Sequence, residues 1–241
     1  MNKRLGLILL LFILVLVVIV IGNHIHIFFT EKGIDYKDKD TYYQLNKKDL
    51  VILIEVDKKQ LSVIDSKTNK TIKNYIVATG KSDFLTPLGT FRIVEKARWG
   101  EGFGSRWLGL NVPWGKYGIH GTNNPGSIGY NASAGCVRMR NKDVEELYDL
   151  VEQNTTVTII NGDYGPFAHG FRSLRPGDRG ADVLEVQKRL KLKGYYTDSL
   201  DGIYGKGMKR SLIEYLKKND IPLTDTIGDE LYKKLDIILM D

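Results

Sequence analysis

The sequence predicts a multi-domain chain: a mainly-β, sandwich-like domain followed by a small all-α domain of three helices, both behind an N-terminal transmembrane helix. Three observations predict it. Residues 5–21 contain no charged side chain. Short runs rich in β-branched residues begin at Leu50. Beyond Gly170 the apolar residues adopt helical spacing. A length of 241 residues allows one or two folded units beside a targeting segment. With 42% hydrophobic and 27% charged residues and only 6 prolines, a disordered or collagen-like chain is excluded.

The N-terminal run follows Lys3 and Arg4 and extends towards Phe29. About 17 helical residues cover roughly 25 Å, and a few more complete a ~30 Å hydrocarbon layer. No small-residue cleavage pattern follows, which favours an uncleaved anchor over a signal peptide. The two basic residues hold the N-terminus in the cytoplasm and place the rest outside. Residues 1–29 are thus read as cytoplasmic tip and anchor, and 30–49, dense in Lys, Asp and Glu, as a solvated spacer. The formal charge of +6 and pI near 9.1 suit an anionic polymer without choosing one.

Strands are expected over residues 51–56, 61–65, 71–79 and 90–94, in a mainly antiparallel domain. Asn141 is the expected N-cap of a helix whose apolar face is Val144, Leu147, Tyr148 and Val151, before a last strand over 156–160. This domain spans 50–161. Residues 162–171, with Gly162, Gly165, Pro166 and Gly170, read as a linker. In 172–241, one helix presents Val183, Val186 and Leu190, a second Met208, Leu212, Tyr215 and Leu216, and a third Ile227, Leu231 and Leu235. A unit this small needs good packing or docking to be stable.

Cys136 is the only cysteine, which excludes a disulfide framework and a multi-thiolate zinc site. Since oxidising surroundings pair or damage idle thiols, an exported lone cysteine points to reactivity. His24 and His26 sit at the membrane edge and His169 in the linker, leaving His120 as the histidine of the β-domain. Two tight turns could bring thiol and imidazole within hydrogen-bonding reach, the imidazolium lowering the thiol pKa. Gly135 would let a carbonyl approach the amides of Ala134, Gly135 and Cys136, an arrangement suited to acyl transfer. An inert core thiol is the competing reading.

The segments Gly118-Ile119-His120-Gly121-Thr122 and Ser133-Ala134-Gly135-Cys136-Val137-Arg138, with Thr86-Pro87-Leu88-Gly89-Thr90-Phe91 and Arg106-Trp107-Leu108-Gly109-Leu110 upstream, resemble the L,D-transpeptidase family of peptidoglycan-remodelling enzymes. The resemblance implies that Cys136 attacks the third-residue carbonyl of a stem tetrapeptide, releases D-alanine, and passes the acyl group to an amine of a second stem. It implies His120 as base, oriented by a backbone carbonyl near Gly121; an oxyanion turn at Ser133, Ala134 and Gly135; and substrate contacts from Arg138, Gly121 and Trp107. Ala134 departs from the pattern, since many members have histidine there. Arg172 to Leu235 resembles a three-helix peptidoglycan-binding domain, through Leu174-Arg175-Pro176-Gly177-Asp178, Gln187 and Asp201-Gly202-Ile203-Tyr204-Gly205. Met208 and Leu216 depart from that pattern.

Trp99, Trp107, Trp114 and Phe103 cluster between Glu95 and Tyr117, readable as a lid or a satellite hydrophobic cluster, with the lid preferred. Asp201 to Gly205 lacks the ligands of a calcium loop and reads as a turn. No cofactor or metal is expected. The expected partners are stem peptides and wall polymer, not nucleic acid, for a monomeric protein. An L,D-carboxypeptidase using water as acceptor and a non-catalytic wall-binding protein are the alternatives.

Overall fold

The structure, a computed structural model, describes residues 46–81, 85–98 and 100–239. The expected anchor and most of the spacer lie outside them. Among the described residues no helix is long and apolar enough to cross a membrane.

Among the described residues ten strands form the β-domain: β1 Leu50–Glu55, β2 Gln60–Asp65, β3 Lys70–Ile76, β4 Thr79–Gly80, β5 Gly89–Ala97, β6 Trp107–Leu110, β7 Tyr117–His120, β8 Asn131–Ser133, β9 Val137–Arg138 and β10 Thr156–Ile160. β1 alternates buried and half-buried residues with the period of two that a one-sided sheet requires. The 65–70 hairpin is set by the Asp65 carboxylate, which accepts from the amides of Lys67 at 2.9 Å and Thr68 at 3.1 Å.

Eight strands lie in one half-barrel sheet, ordered β3-β2-β1-β10-β5-β6-β7-β9, while β4 and β8 form a separate parallel pair. The expected mainly-β, sandwich-like domain thus takes the form of a half-barrel sheet continuous through β5. Nor is the sheet wholly antiparallel: β1 pairs with β10, and β7 with β9, in parallel. The single strand expected over 71–79 breaks after Ile76. Ala78 then turns to bridge Arg138, and Thr79 starts β4.

Helix α1, Asn141–Leu150, covers the sheet with Val144, Leu147 and Leu150. Its cap position falls on Arg140, not on Asn141. Asn141 is the first helical residue, and its Oδ1 accepts instead from the Ser105 amide at 3.2 Å. Lys96 Nζ closes the other end, donating to the carbonyls of Tyr148 at 2.6 Å and Val151 at 2.5 Å. A cation at a helix C-terminus satisfies carbonyls that have no partner within the helix.

The C-terminal unit contains α2 Ala181–Leu192, α3 Lys206–Lys218 and α4 Asp229–Lys234. Their core joins Val183, Val186, Leu190, Met208, Leu212, Leu216, Leu231 and Leu235. Ile227 belongs to this core but precedes α4, pairing with Leu174 as an isolated bridge. Phe167 and Phe171 from the 162–171 segment pack on the same core, Phe171 stacking on Tyr232 with centroids 4.2 Å apart.

Asp201-Gly202-Ile203 is a turn pinned by the fully buried Gln187. Gln187 Nε2 donates to Asp201 Oδ1 at 2.8 Å and the Ile203 carbonyl at 3.0 Å, and Gln187 Oε1 accepts from the Gly202 amide at 2.8 Å. That turn abuts the β-domain. Gly202 has φ +66°, and a Cβ there would lie 2.5 Å from the Trp114 ring.

Candidate active site

The β7–β9 pairing assembles the site. Its register sets Ile119 opposite Val137 and His120 opposite Arg138. Cys136 therefore falls opposite Gly118, and because side chains alternate along a strand, Cys136 and His120 share one face of the sheet. β9 is held from both sides: Arg138 exchanges backbone hydrogen bonds with Ala78, each 2.8 Å, and the Met139 amide donates to the His120 carbonyl at 2.8 Å.

The turn before β9 is built around the buried Ser133. Its hydroxyl donates to the Cys136 carbonyl at 2.5 Å and accepts from the Gly135 amide at 3.0 Å. Gly135 has φ +110°, and a Cβ there would lie 2.7 Å from Tyr117 Cε1, so both backbone and space require glycine. Because Ser133 takes the Gly135 amide, that group is not free for an oxyanion, which corrects the expected set of three donors. Ala134 is exposed at the rim. Thr86 Oγ1 accepts from the Gly80 amide at 2.8 Å, which ties the Thr86-Pro87 segment to β4 beside this turn.

His120 is buried, and its Nδ1 lies 2.6 Å from the Gly121 carbonyl. A carbonyl only accepts, so Nδ1 carries the proton and Nε2 keeps its lone pair. Phe103 packs edge-on to the imidazole at 5.1 Å, and Trp107 lies tilted at 5.9 Å. Trp107 is 1% exposed, with Nε1 donating to Glu95 Oε2 at 2.9 Å. It therefore buttresses His120 and presents no surface to a substrate, a correction to its expected contact. Trp114 is also buried, edge-on to Phe91 at 5.9 Å. The lid reading thus gives way to packing for these two rings, and Trp99 lies outside the described residues. Gly121 donates its amide to the Arg106 carbonyl at 3.2 Å, and a Cβ there would lie 2.2 Å from Asn141 Oδ1. Packing accounts for that glycine.

The electrostatics depart from expectation. Burial pushes the Cys136 thiol above its ordinary range, opposed by the Gly118 backbone and the Arg138 charge. Burial also holds His120 below the usual imidazole range, against the Gly121 and Phe103 carbonyls. No hydrogen bond joins thiol and imidazole among the described residues, and burial disfavours the charged form of each. Arg138 is half-buried; its guanidinium reaches the Ala132 carbonyl at 3.3 Å, while its Nε is buried without a partner.

Sequence reasoning did not single out Tyr117, whose ring fills the space beside Gly135. An aromatic residue preceding the Gly118-Ile119-His120 strand was the available signal. It also missed a cleft of about 700 Å³ between this turn and the C-terminal unit, lined by Leu85, Tyr117 and Ala134 on one side and Arg172, Asp178 and Arg179 on the other. No cluster of metal-ligating side chains occurs among the described residues.

A partly buried thiol, a histidine oriented by a carbonyl and a glycine turn are the parts that cysteine-dependent acyl transfer requires. Comparison with known proteins narrows the class. Residues 49–159 match the family model described as "L,D-transpeptidase catalytic domain", and residues 179–235 the one described as "Putative peptidoglycan binding domain". The chain is thus similar to an L,D-transpeptidase catalytic domain over residues 49–159 and to a peptidoglycan-binding domain over 179–235.

It is 46% identical over 109 residues to the "Putative L,D-transpeptidase YkuD" of Bacillus subtilis (strain 168), covering 45% of this chain and 64% of that protein. It is 39% identical over 109 residues to the "Putative L,D-transpeptidase YqjB" of the same organism, covering 39% of this chain and 62% of that protein. The match thus spans under two thirds of either relative. The catalytic domain of the E. faecium L,D-transpeptidase, solved by NMR, superposes with a TM-score of 0.41 at 21% identity, covering 47% of this chain and 98% of that one.

Proposed function

We propose that the protein is a peptidoglycan L,D-transpeptidase working through a Cys136 thioester. His120 Nε2 removes the thiol proton as the sulfur bonds to the third-residue carbonyl carbon of a stem tetrapeptide. The carbon–nitrogen bond to D-alanine breaks, and the proton passes to the leaving amine. An amine of a second stem then attacks the thioester, forming the crosslink and restoring the thiol. The amides of Ala134 and Cys136 are the donors left to meet the oxyanion, and Arg138 holds a substrate carboxylate. Peptidoglycan as substrate implies an extracytoplasmic catalytic domain, and the apolar run over residues 5–21 is assigned as its anchor.

The observation that carries this reading is Cys136 on the His120 face of the sheet, at the end of a glycine turn locked by Ser133. Incubating the protein with a tetrapeptide-containing muropeptide and recording masses tests it. Wild type should give dimers joined through third residues. Cys136→Ala should give no thioester adduct, and Cys136→Ser at most a trace, because a hydroxyl needs stronger activation. Trimmed tripeptides alone would make the protein a carboxypeptidase, and normal turnover by Cys136→Ala would end the thiol mechanism.

A further inference from the structure

The cleft beside the catalytic turn has walls from both units, and its cationic wall is not on the catalytic domain. Leu85, Pro87 and Leu88 supply an apolar side and Ala134 with Tyr117 the floor next to the nucleophile, while Arg172, Asp178, Arg179 and Asp182 face them from the C-terminal unit. The two arginines differ. Arg172 is engaged: its guanidinium pairs with Asp182 at 2.5 Å and with Asp178 at 3.4 Å. Arg179 is exposed, and among the described residues no carboxylate lies within ion-pairing distance of its guanidinium.

Its backbone is fixed, however. Arg179 bridges Ile203 and its carbonyl accepts from Arg172 at 3.0 Å, so the side chain springs from an anchored point. Burial and then the Cys136 charge push the Tyr117 hydroxyl up, and the Arg179 charge opposes them. A cleft of about 700 Å³ is within the size range that encloses a small ligand such as a short peptide.

We propose that the peptidoglycan-binding unit completes the substrate cleft, Arg179 holding a carboxylate of the peptide that lies between it and Ala134. An unpaired guanidinium facing the cleft beside a nucleophile that acts on acidic peptides is matched by a bidentate carboxylate. The choice of peptide rests on the proposed transpeptidase reading; the site itself does not. The stem offers two sources of that carboxylate, its C-terminus and an acidic side chain or branch.

Calorimetric binding separates the site from the reaction when the acceptor of the acyl group is removed. The full chain carrying Cys136→Ala is titrated with a stem tetrapeptide, alone and combined with Arg179→Ala or Arg179→Lys. Arg179→Ala should weaken binding roughly tenfold or more, as loss of a charge-assisted pair does, with Arg179→Lys recovering part of it. The loss should vanish for the one amidated peptide, C-terminal or internal, that lacks the carboxylate in question, which identifies the source. Equal affinity of Cys136→Ala with and without Arg179, an equal loss on every amidated form, or no binding of the tetrapeptide would overturn the proposal. Intact Arg179-dependent binding with no thioester in the wild type would overturn the reaction and leave the cleft standing.

Discussion

At the residue scale the resting charge state of the site is the feature with the most chemical consequence. A buried thiol shifted upward and a buried imidazole shifted downward both resist ionisation, because burial penalises the charged form of each. Iodoacetamide should therefore label Cys136 more slowly at pH 7 than it labels a small-molecule thiol, with a rate that rises at higher pH than the reference. A profile with its midpoint below the reference would indicate a resting ion pair. The same burial gives a stability dependence of defined sign. Unfolded His120 binds a proton near pH 6.5 and the folded residue resists it, so stability falls as pH drops below that value.

At the element scale the Gln187 amide is to the helical unit what Ser133 is to the catalytic turn: one buried polar side chain that determines a loop. Gln187→Leu keeps the volume but strands the Gly202 amide, while the Ile203 carbonyl still accepts from the Gly205 amide and the Asp201 carboxylate from the Ile203 amide. Each unsatisfied buried group costs about 1–3 kcal/mol. Urea denaturation should show a loss of about 1–3 kcal/mol, and a loss under ~0.5 kcal/mol would mean that water replaces the amide.

Much at this scale was legible in the sequence, because periodicity reports burial directly. β10 at 156–160 and the faces of α1, α2 and α3 follow from spacing alone. What spacing does not carry is the partner. The parallel β1–β10 pairing joins residues more than a hundred positions apart. Asn141 resembles a cap because only the distant Ser105 amide shows where its side chain is used. Candidate site residues can be named from type and order, whereas the burial of Cys136 and His120 and the Ser133 claim on the Gly135 amide are products of the assembled turn.

At the scale of the whole molecule, the sequence presents two beads on a linker, and the structure joins them. Phe167 and Phe171 of the 162–171 segment pack on the helical core, and the Gly202 turn presses on Trp114. Gly202→Ala places a methyl group into that ring at 2.5 Å. It should part the units, seen as red-shifted tryptophan emission and faster proteolysis within 162–171. Unchanged emission and cleavage would mean that the contact yields without separation. A variant that parts the units should also lose affinity for a bound peptide, since one wall of the cleft moves with the helices.

The two-residue strand behind the nucleophile has a kinetic corollary. β9 touches Ala78 on one flank and β7 on the other, partners lying some sixty and twenty positions upstream, so it gains its hydrogen bonds only after distant stretches of chain have met. Loops of that length close late and cooperatively. A nascent or threading polypeptide therefore carries its sulfur without the oriented imidazole until the last sheet edge is sealed.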